Sequence, residues 1–248
     1  MIIYGKNPVS ELLLNPSSEI EEIFFYGDDR RNNTSEILSA AKGRGVKVSA
    51  ISKEDLSKLC QSTSHQGIAA RIKDFKYHEL ADTISHAKEK GEKLLLLILD
   101  HLEDPQNLGA IIRTVDVLGA HGVVVPKDRA APVTPAVVKA SSGAVNHVPI
   151  SRVVNLSVVI RDLKKQGVWI VGADSSSSTP VSQEDFSNLD IALVIGNEGK
   201  GLGHKMKSEC DFLVSIPQSG KVSSLNASVA AGIMIYEIMR QRISTSDG

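Results

Sequence analysis

Arg113, Asn107, Glu198, Ser224 and Asn226 are the side chains in this chain whose types could do chemistry together. A guanidinium offers a planar cation to a phosphate or to a developing oxyanion. Asparagine and serine supply directed hydrogen bonds, and a carboxylate accepts from hydroxyls or faces a positive centre. All five lie in three polar loops marked by glycine and proline. The first loop runs Asp104-Pro105-Gln106-Asn107-Leu108-Gly109 and continues to Arg113-Thr114. Asp-Pro marks a turn, Asn107 stands near a helix start, and Gly109 lies four residues before Arg113, where a small residue leaves room for the guanidinium stem. An arginine one to two turns into a helix, beside a strand end, is placed to meet a phosphate. The plain alternative is a surface arginine and a helix-capping asparagine.

The second loop, Gly196-Asn197-Glu198-Gly199-Lys200-Gly201-Leu202-Gly203, is glycine-rich but is not a nucleotide cradle of a familiar kind. A Walker loop needs Gly-Lys-Ser/Thr, whereas Leu202 follows Gly201. The Gly199-x-Gly201-x-Gly203 spacing also misses the dinucleotide fingerprint by one residue. Glu198 would repel a pyrophosphate, so the loop suits a ligand with hydroxyls or a positive centre. Its plain alternative is a tight turn with a solvated glutamate. The third loop leaves Ile216-Pro217 and passes Gly220, Ser223, Ser224 and Leu225 to Asn226, ahead of a helix of small and apolar residues. Ser224 or Asn226 could simply cap that helix. His101, Glu103 and Asp104 are not read as metal ligands, because no second His or Cys cluster stands at ligand spacing.

The elements that must position these loops follow from the apolar pattern. Short, nearly continuous apolar runs recur at 94–99, 122–125, 168–171, 191–195 and 212–216, with helical stretches at 108–118, 155–166 and 226–242. Strands without strict alternation, separated by helices, predict an α/β fold with a parallel sheet covered on both faces. Loops at the C-terminal ends of such strands are where open α/β sheets bind ligands. Residues 1–72 read as a separate small α/β unit, with helices at 8–14, 35–42 and 53–60 and strands at 22–26, 46–51 and 67–72. Asn7 caps the first of these helices and Gly43 stops the second in this reading. Residues 73–92 form a connecting helix and linker, and 93–248 the main domain.

Composition narrows the function classes. The chain has 248 residues, an apolar fraction of 42% and a net charge of −1, so it can build a core but shows no global electrostatic footprint for nucleic acid. A local basic face on a neutral protein leaves an RNA partner open. With one Trp and few aromatics, a stacking platform for single strands is disfavoured. Cys60 and Cys210 are isolated, which fits a reduced, cytoplasmic setting. The N-terminus lacks a signal-peptide run, and the longest apolar run, 94–99, is far too short to cross a bilayer, so no membrane association is expected.

Taken in order, the three loops resemble the motifs of the SpoU branch of the SPOUT RNA methyltransferases. The first motif matches Asp104 to Gly109 through Arg113-Thr114, the second Ile195 to Leu202, and the third Ile216-Pro217 through Ser223-Ser224-Leu225-Asn226 to Glu237. Val115 and Gln218 depart mildly from the usual pattern. The N-terminal unit resembles the family's ribosomal-protein-like substrate-binding domain, through Tyr4-Gly5-Lys6-Asn7-Pro8-Val9 and His65-Gln66-Gly67-Ile68.

The resemblance implies S-adenosylmethionine as methyl donor, a ribose 2′-hydroxyl as acceptor, a homodimer through the C-terminal domain and a deep trefoil knot. It points to a guanosine of large-subunit ribosomal RNA, with transfer RNA or a non-catalytic RNA-binding role as alternatives. By resemblance, Ala173, Gly196, Asn197, Gly199, Ile216, Leu225 and Asn226 hold the donor. Arg113 engages the target nucleotide, positioned with the ribose by Asn107, Glu198, Ser224 and Asn226. The family mechanism casts arginine as the base. A guanidinium, with a pKa above about 12, more easily orients a phosphate and stabilises an alkoxide. A dinucleotide oxidoreductase is disfavoured by the broken glycine spacing.

Overall fold

A computed structural model describes the chain apart from residues 15–17, 28–33, 74, 198, 200, 222–223 and 247–248 and the side chains of 244–246. Two units emerge. The smaller comprises Met1–Lys76 and Val133–His147, the larger Tyr77–Pro132 and Val148–Gly248. The smaller unit runs β1 (Ile2–Tyr4), α1 (Lys6–Leu14), β2 (Ile20–Phe25), α2 (Ser35–Gly43), β3 (Lys47–Ala50), α3 (Lys53–Cys60) and β4 (Ile68–Ile72), and also takes in the short helix Pro135–Ala140. Its sheet order is β1-β4-β2-β3, with only β2 and β3 parallel.

Two of the expected helix boundaries move, each for a local reason. α1 starts at Lys6, two residues before Pro8, because the Gln66 side chain accepts from the Lys6 amide at 2.9 Å and caps the helix in place of Asn7. Gly43 lies inside α2, and the left-handed turn falls instead on Gly45, at φ 69°. His65, beside Gln66, is buried. Its Nδ1 accepts from the Gly67 amide at 3.1 Å and its Nε2 faces the Ser57 hydroxyl at 3.1 Å. The Gly-Lys and His-Gln-Gly segments therefore meet as one folding motif.

The larger unit contains α4 (Leu80–Glu89), β5 (Leu95–Leu99), α5 (Pro105–Leu118), β6 (Gly122–Pro126), β7 (Ile150–Val153), α7 (Leu156–Lys165), β8 (Trp169–Ala173), β9 (Ile191–Ile195), α8 (His204–Glu209), β10 (Phe212–Val214) and α9 (Ala227–Ser246); α6 is the short helix 135–140. Its six strands are all parallel, in the order β10-β8-β9-β5-β6-β7. Every residue of β5, β6 and β9 is buried, as expected for strands covered on both faces. The span expected to be a connecting helix and linker holds α4, whose Ile84 and Ala87 pack in this core with Leu96, Ile98, Ile160 and Val194. α5 buries the stripe of Leu108, Ile111, Ile112 and Val115, and packs against α9 and β6. Among the described residues, no helix is long and apolar enough to cross a membrane.

Candidate active site

Each expected loop leaves the C-terminal end of a strand, and backbone bonds fix where it goes. Asp104 caps α5 by accepting from the Gln106 amide at 3.0 Å, and Pro105 occupies the first helical position. The other Asp104 oxygen accepts from Asn107 Nδ2 at 2.9 Å, and Asn107 Oδ1 accepts from Asn226 Nδ2 at 2.9 Å. Asn226 Oδ1 accepts from the Ser228 amide at 2.9 Å and the Ser228 hydroxyl at 2.6 Å, at the head of α9. One chain of side chains thus ties the start of α5 to the start of α9. Asn107 is buried within it, and helix capping, the plain reading of Asn226, is realised.

The second loop folds back on itself. The Gly201 amide donates to Asn197 O at 2.9 Å, and Asn197 Nδ2 donates to His101 O at 2.8 Å, tying the turn to the end of β5. A Cβ on Gly196 would lie 2.3 Å from the Gly201 carbonyl carbon, so only glycine lets the two backbones cross here. After β10, Ser215 is held in the loop beyond β8. Its amide donates to Thr179 O at 2.8 Å and its carbonyl accepts from the Val181 amide at 2.9 Å.

These passages enclose a cleft of about 390 Å³. Ala173, Gly196, Asn197, Gly199, Ile216, Ser224 and Leu225, all singled out from the sequence, line it. Asn226 and Asn107 stand behind it, at the joined helix starts, and do not line it. Arg113 is exposed on α5 and is not part of the lining either. Glu198 lies outside the described residues, as do Lys200 and Ser223.

The structure adds lining residues that the sequence reading missed, among them Asp174, Ser176, Lys207, Gln218 and Met234. Asp174 and Lys207 are the charged side chains among its described lining, paired at 2.6 Å. Burial pulls the Asp174 carboxyl upward, but the hydrogen bonds from Lys207 and Ser176 outweigh it, and the group titrates below the ordinary carboxylate range. Asp174 had a legible signal, since it directly follows the apolar run of β8. Lys207 had none, because α8 spans six residues and buries only Met206.

Residues 94–236 match the SpoU rRNA Methylase family, and residues 2–78 match the family described as RNA 2′-O ribose methyltransferase substrate binding. The chain belongs to the SpoU family. This SpoU protein is an RNA methyltransferase. It is 42% identical over 244 residues to a Bacillus subtilis protein named as a TrmH family tRNA/rRNA methyltransferase, covering 97% of this chain and 95% of that one.

Among solved structures, the SpoU fold seen here resembles the AviRb methyltransferase of Streptomyces viridochromogenes in complex with AdoMet. The TM-score is 0.81 at 28% identity, with 98% of this chain and 91% of that chain covered. It also resembles an AdoMet-bound rRNA methyltransferase of Sinorhizobium meliloti, with a TM-score of 0.79 at 27% identity and 96% and 86% of the chains covered.

Proposed function

We propose that this chain transfers a methyl group from S-adenosylmethionine to a ribose 2′-hydroxyl in RNA, at a guanosine of large-subunit ribosomal RNA. The observation that carries the reading is the cleft at the C-terminal edge of the parallel sheet, walled by segments of the second and third loops and backed by the joined start of the first. Its lining fits the donor. Ile195, Ile216, Leu225 and Met234 offer apolar surface to a purine, Ser224 and Gln218 offer polar groups to a ribose, and Asp174 and Lys207 match the ammonium and carboxylate of an amino-acid end. When bound, S-adenosylmethionine supplies an electrophilic methyl on a positively charged sulfur.

In this reading Ala173, Gly196, Asn197, Gly199, Ile216 and Leu225 hold the adenosyl part, with Asn226 behind them. Arg113 takes the phosphate of the target nucleotide and stabilises the ribose oxygen as its proton passes to solvent and the methyl is transferred, which leaves S-adenosylhomocysteine as the neutral thioether. Ser224 and Glu198 align the ribose, while Asn107 and Asn226 act by fixing the two helix starts. Residues 1–72 serve in RNA binding and 93–248 carry the methyltransferase chemistry, with α4 of the 73–92 span built into the larger unit's core and 133–147 into the smaller unit. The substrate-binding match over residues 2–78 supports the RNA-binding role of the N-terminal unit. A transfer RNA acceptor is the second reading, supported by the tRNA/rRNA name of the relative.

The proposal includes a homodimer, a knotted C-terminal region and a cytoplasmic setting. α9 supports the dimer. Val229, Ile233, Tyr236 and Ile243 are exposed apolar side chains spaced to share one helix face, opposite the buried Ala231, Ile235 and Ile238. The holding of Ser215 within the loop after β8 supports the knotted passage. The reduced setting accords with the free thiols, which burial pushes up to about 11 for Cys60 and about 12 for Cys210.

Arg113→Ala is expected to abolish turnover on ribosomal RNA fragments while S-adenosylhomocysteine still binds by calorimetry with nearly wild-type affinity. Equal activity of variant and wild type removes Arg113 from the mechanism, and absence of binding heat with wild type removes the donor. Mapping 2′-O-methylation on ribosomal and transfer RNA from cells lacking the protein identifies the acceptor.

A further inference from the structure

A second cavity, of about 800 Å³, opens at the C-terminal ends of β5, β6 and β7. Asn197 and Gly201 line both this cavity and the smaller cleft, so a single turn of chain is the wall between them. Its floor is apolar, from buried Pro126, Leu156 and Met206, and its rim carries exposed Arg129 and Lys205. Three carboxylates also line it, the exposed Asp128 and Glu103 and the buried Asp100. The loops at its mouth are shaped in advance. His101 and Arg129 both hold left-handed backbones, at φ 57° and 53°, a conformation uncommon outside glycine that clusters at ligand sites. His101 is fixed from two sides, by Asp100 at 2.5 Å on its ring and by the Asn197 amide on its carbonyl.

We propose that this cavity takes one unstacked nucleotide of the RNA strand, next to the nucleotide that is methylated. The inference rests on reading the smaller cleft as the donor site, because a strand whose ribose reaches that cleft must continue across one of its walls. Proteins read single-stranded RNA by splaying bases onto apolar or planar surfaces and bonding to their edges, while arginine and lysine take the phosphates. The apolar floor suits the base. Asp100, Asp128 and Glu103 would repel a phosphate within the cavity, and the exposed Asp128 and Glu103 can accept from the amino groups of a base edge, which leaves Arg129 and Lys205 at the rim for the phosphate. The start of α7, also at this cavity, is not the phosphate site. Its Ser157 and Val158 amides are already taken by the Asn155 side chain, at 2.9 and 3.4 Å. The cavity volume lies in the range usual for small-ligand sites and is twice that of the donor cleft.

The test titrates the full chain, saturated with S-adenosylhomocysteine, with a mixed-sequence single-stranded RNA heptamer. The variants are Arg129→Ala and Lys205→Ala, with Lys165→Ala, an exposed residue on α7 outside the cavity lining, as control. Each rim variant should weaken heptamer binding about tenfold, as loss of one charge-assisted contact does, and lower the salt slope by about 0.7. Binding of S-adenosylhomocysteine and the behaviour of Lys165→Ala should stay at wild-type values. Wild-type affinity in both rim variants overturns the proposal, and so does an equal loss in Lys165→Ala, which reports charge alone. Failure of the donor reading is seen separately, as absence of heat with S-adenosylhomocysteine. Heptamer loss confined to Arg129 and Lys205 assigns the cavity to RNA even then.

Discussion

At Gly196 a single added side-chain atom has a large geometric consequence. The position an alanine Cβ would occupy is already filled by the Gly201 backbone, at 2.3 Å from its carbonyl carbon and 2.6 Å from the Leu202 amide. Backbone cannot rotate away as a flexible side chain can, so Gly196→Ala must open the turn. Gly196→Ala should lose about 3 kcal/mol of stability in urea titrations and most of its affinity for S-adenosylhomocysteine. Gly203→Ala is the contrast, since nothing lies within 4 Å of its added Cβ; it should stay near wild type on both readouts. If Gly196→Ala binds donor normally, the crossing does not shape the cleft. At this scale the sequence marked Gly196 as one of several loop glycines. Which of them is sterically obligatory depended on the chain that returns across it.

Elements act through the two ends of α9. At its start, Asn226 both caps the helix and donates to the buried Asn107 oxygen. Asn226→Ala therefore removes a cap, worth about 1 kcal/mol, and the bond to the buried Asn107, worth about 0.5–1.5 kcal/mol. Asn226→Asp keeps the cap but sets a carboxylate against Asn107 Oδ1. Urea midpoints should rank wild type above both variants; an Asn226→Asp protein as stable as wild type shows that the tie between the helices carries no weight.

Farther along α9, Glu237 accepts from Arg240 at 2.8 and 2.9 Å and from Gln241 at 3.0 Å. Gln241 in turn bonds Glu184 O and the Phe186 amide. The Arg240 bonds, against the pull of burial, take Glu237 down to about 2 from an ordinary 4.5. A depressed carboxylate contributes stability that is fully present above about 4.5 and is lost as pH falls toward about 2. Arg240 is half-exposed, so the gap between wild type and Glu237→Gln should be about 1 kcal/mol at pH 7. It should narrow steadily below pH 4.5; a gap that stays constant from pH 7 to 3 refutes the assignment.

The long elements were legible because their patterns were long. β9, a continuous apolar run, falls at the predicted residues; α7 moves by one residue at each end, α5 begins three residues earlier behind its Asp104 cap, and α9 runs four residues past its predicted end. β7, α6 and α8 were not legible, because Ser151 and Arg152 break the apolar run of β7 and six residues are too few to show a helical period in α6 and α8.

For the whole molecule, the exposed apolar face of α9 decides the assembly prediction. Ile233→Asp should leave the fold intact by circular dichroism, since this side chain does not support the core, and should give a monomer in analytical ultracentrifugation where wild type sediments as a dimer. A wild-type monomer, or a variant that still dimerises, places the interface elsewhere.

The sequence by itself determined the α/β class, the parallel sheet and the loops that meet at its C-terminal edge, because apolar periodicity and turn chemistry are local and survive in one dimension. It also identified the family, through residues whose types and order are specific together. Only the tertiary structure decided the rest. It showed that Val133–His147 belongs with the smaller unit, that Gln66 caps a helix sixty residues away, that Asp174 and Lys207 share the cleft, and that Asn107 and Asn226 join two helix starts 119 residues apart. Each of these is a pairing between distant segments, set by where the packed sheet brings them, and no local propensity encodes it.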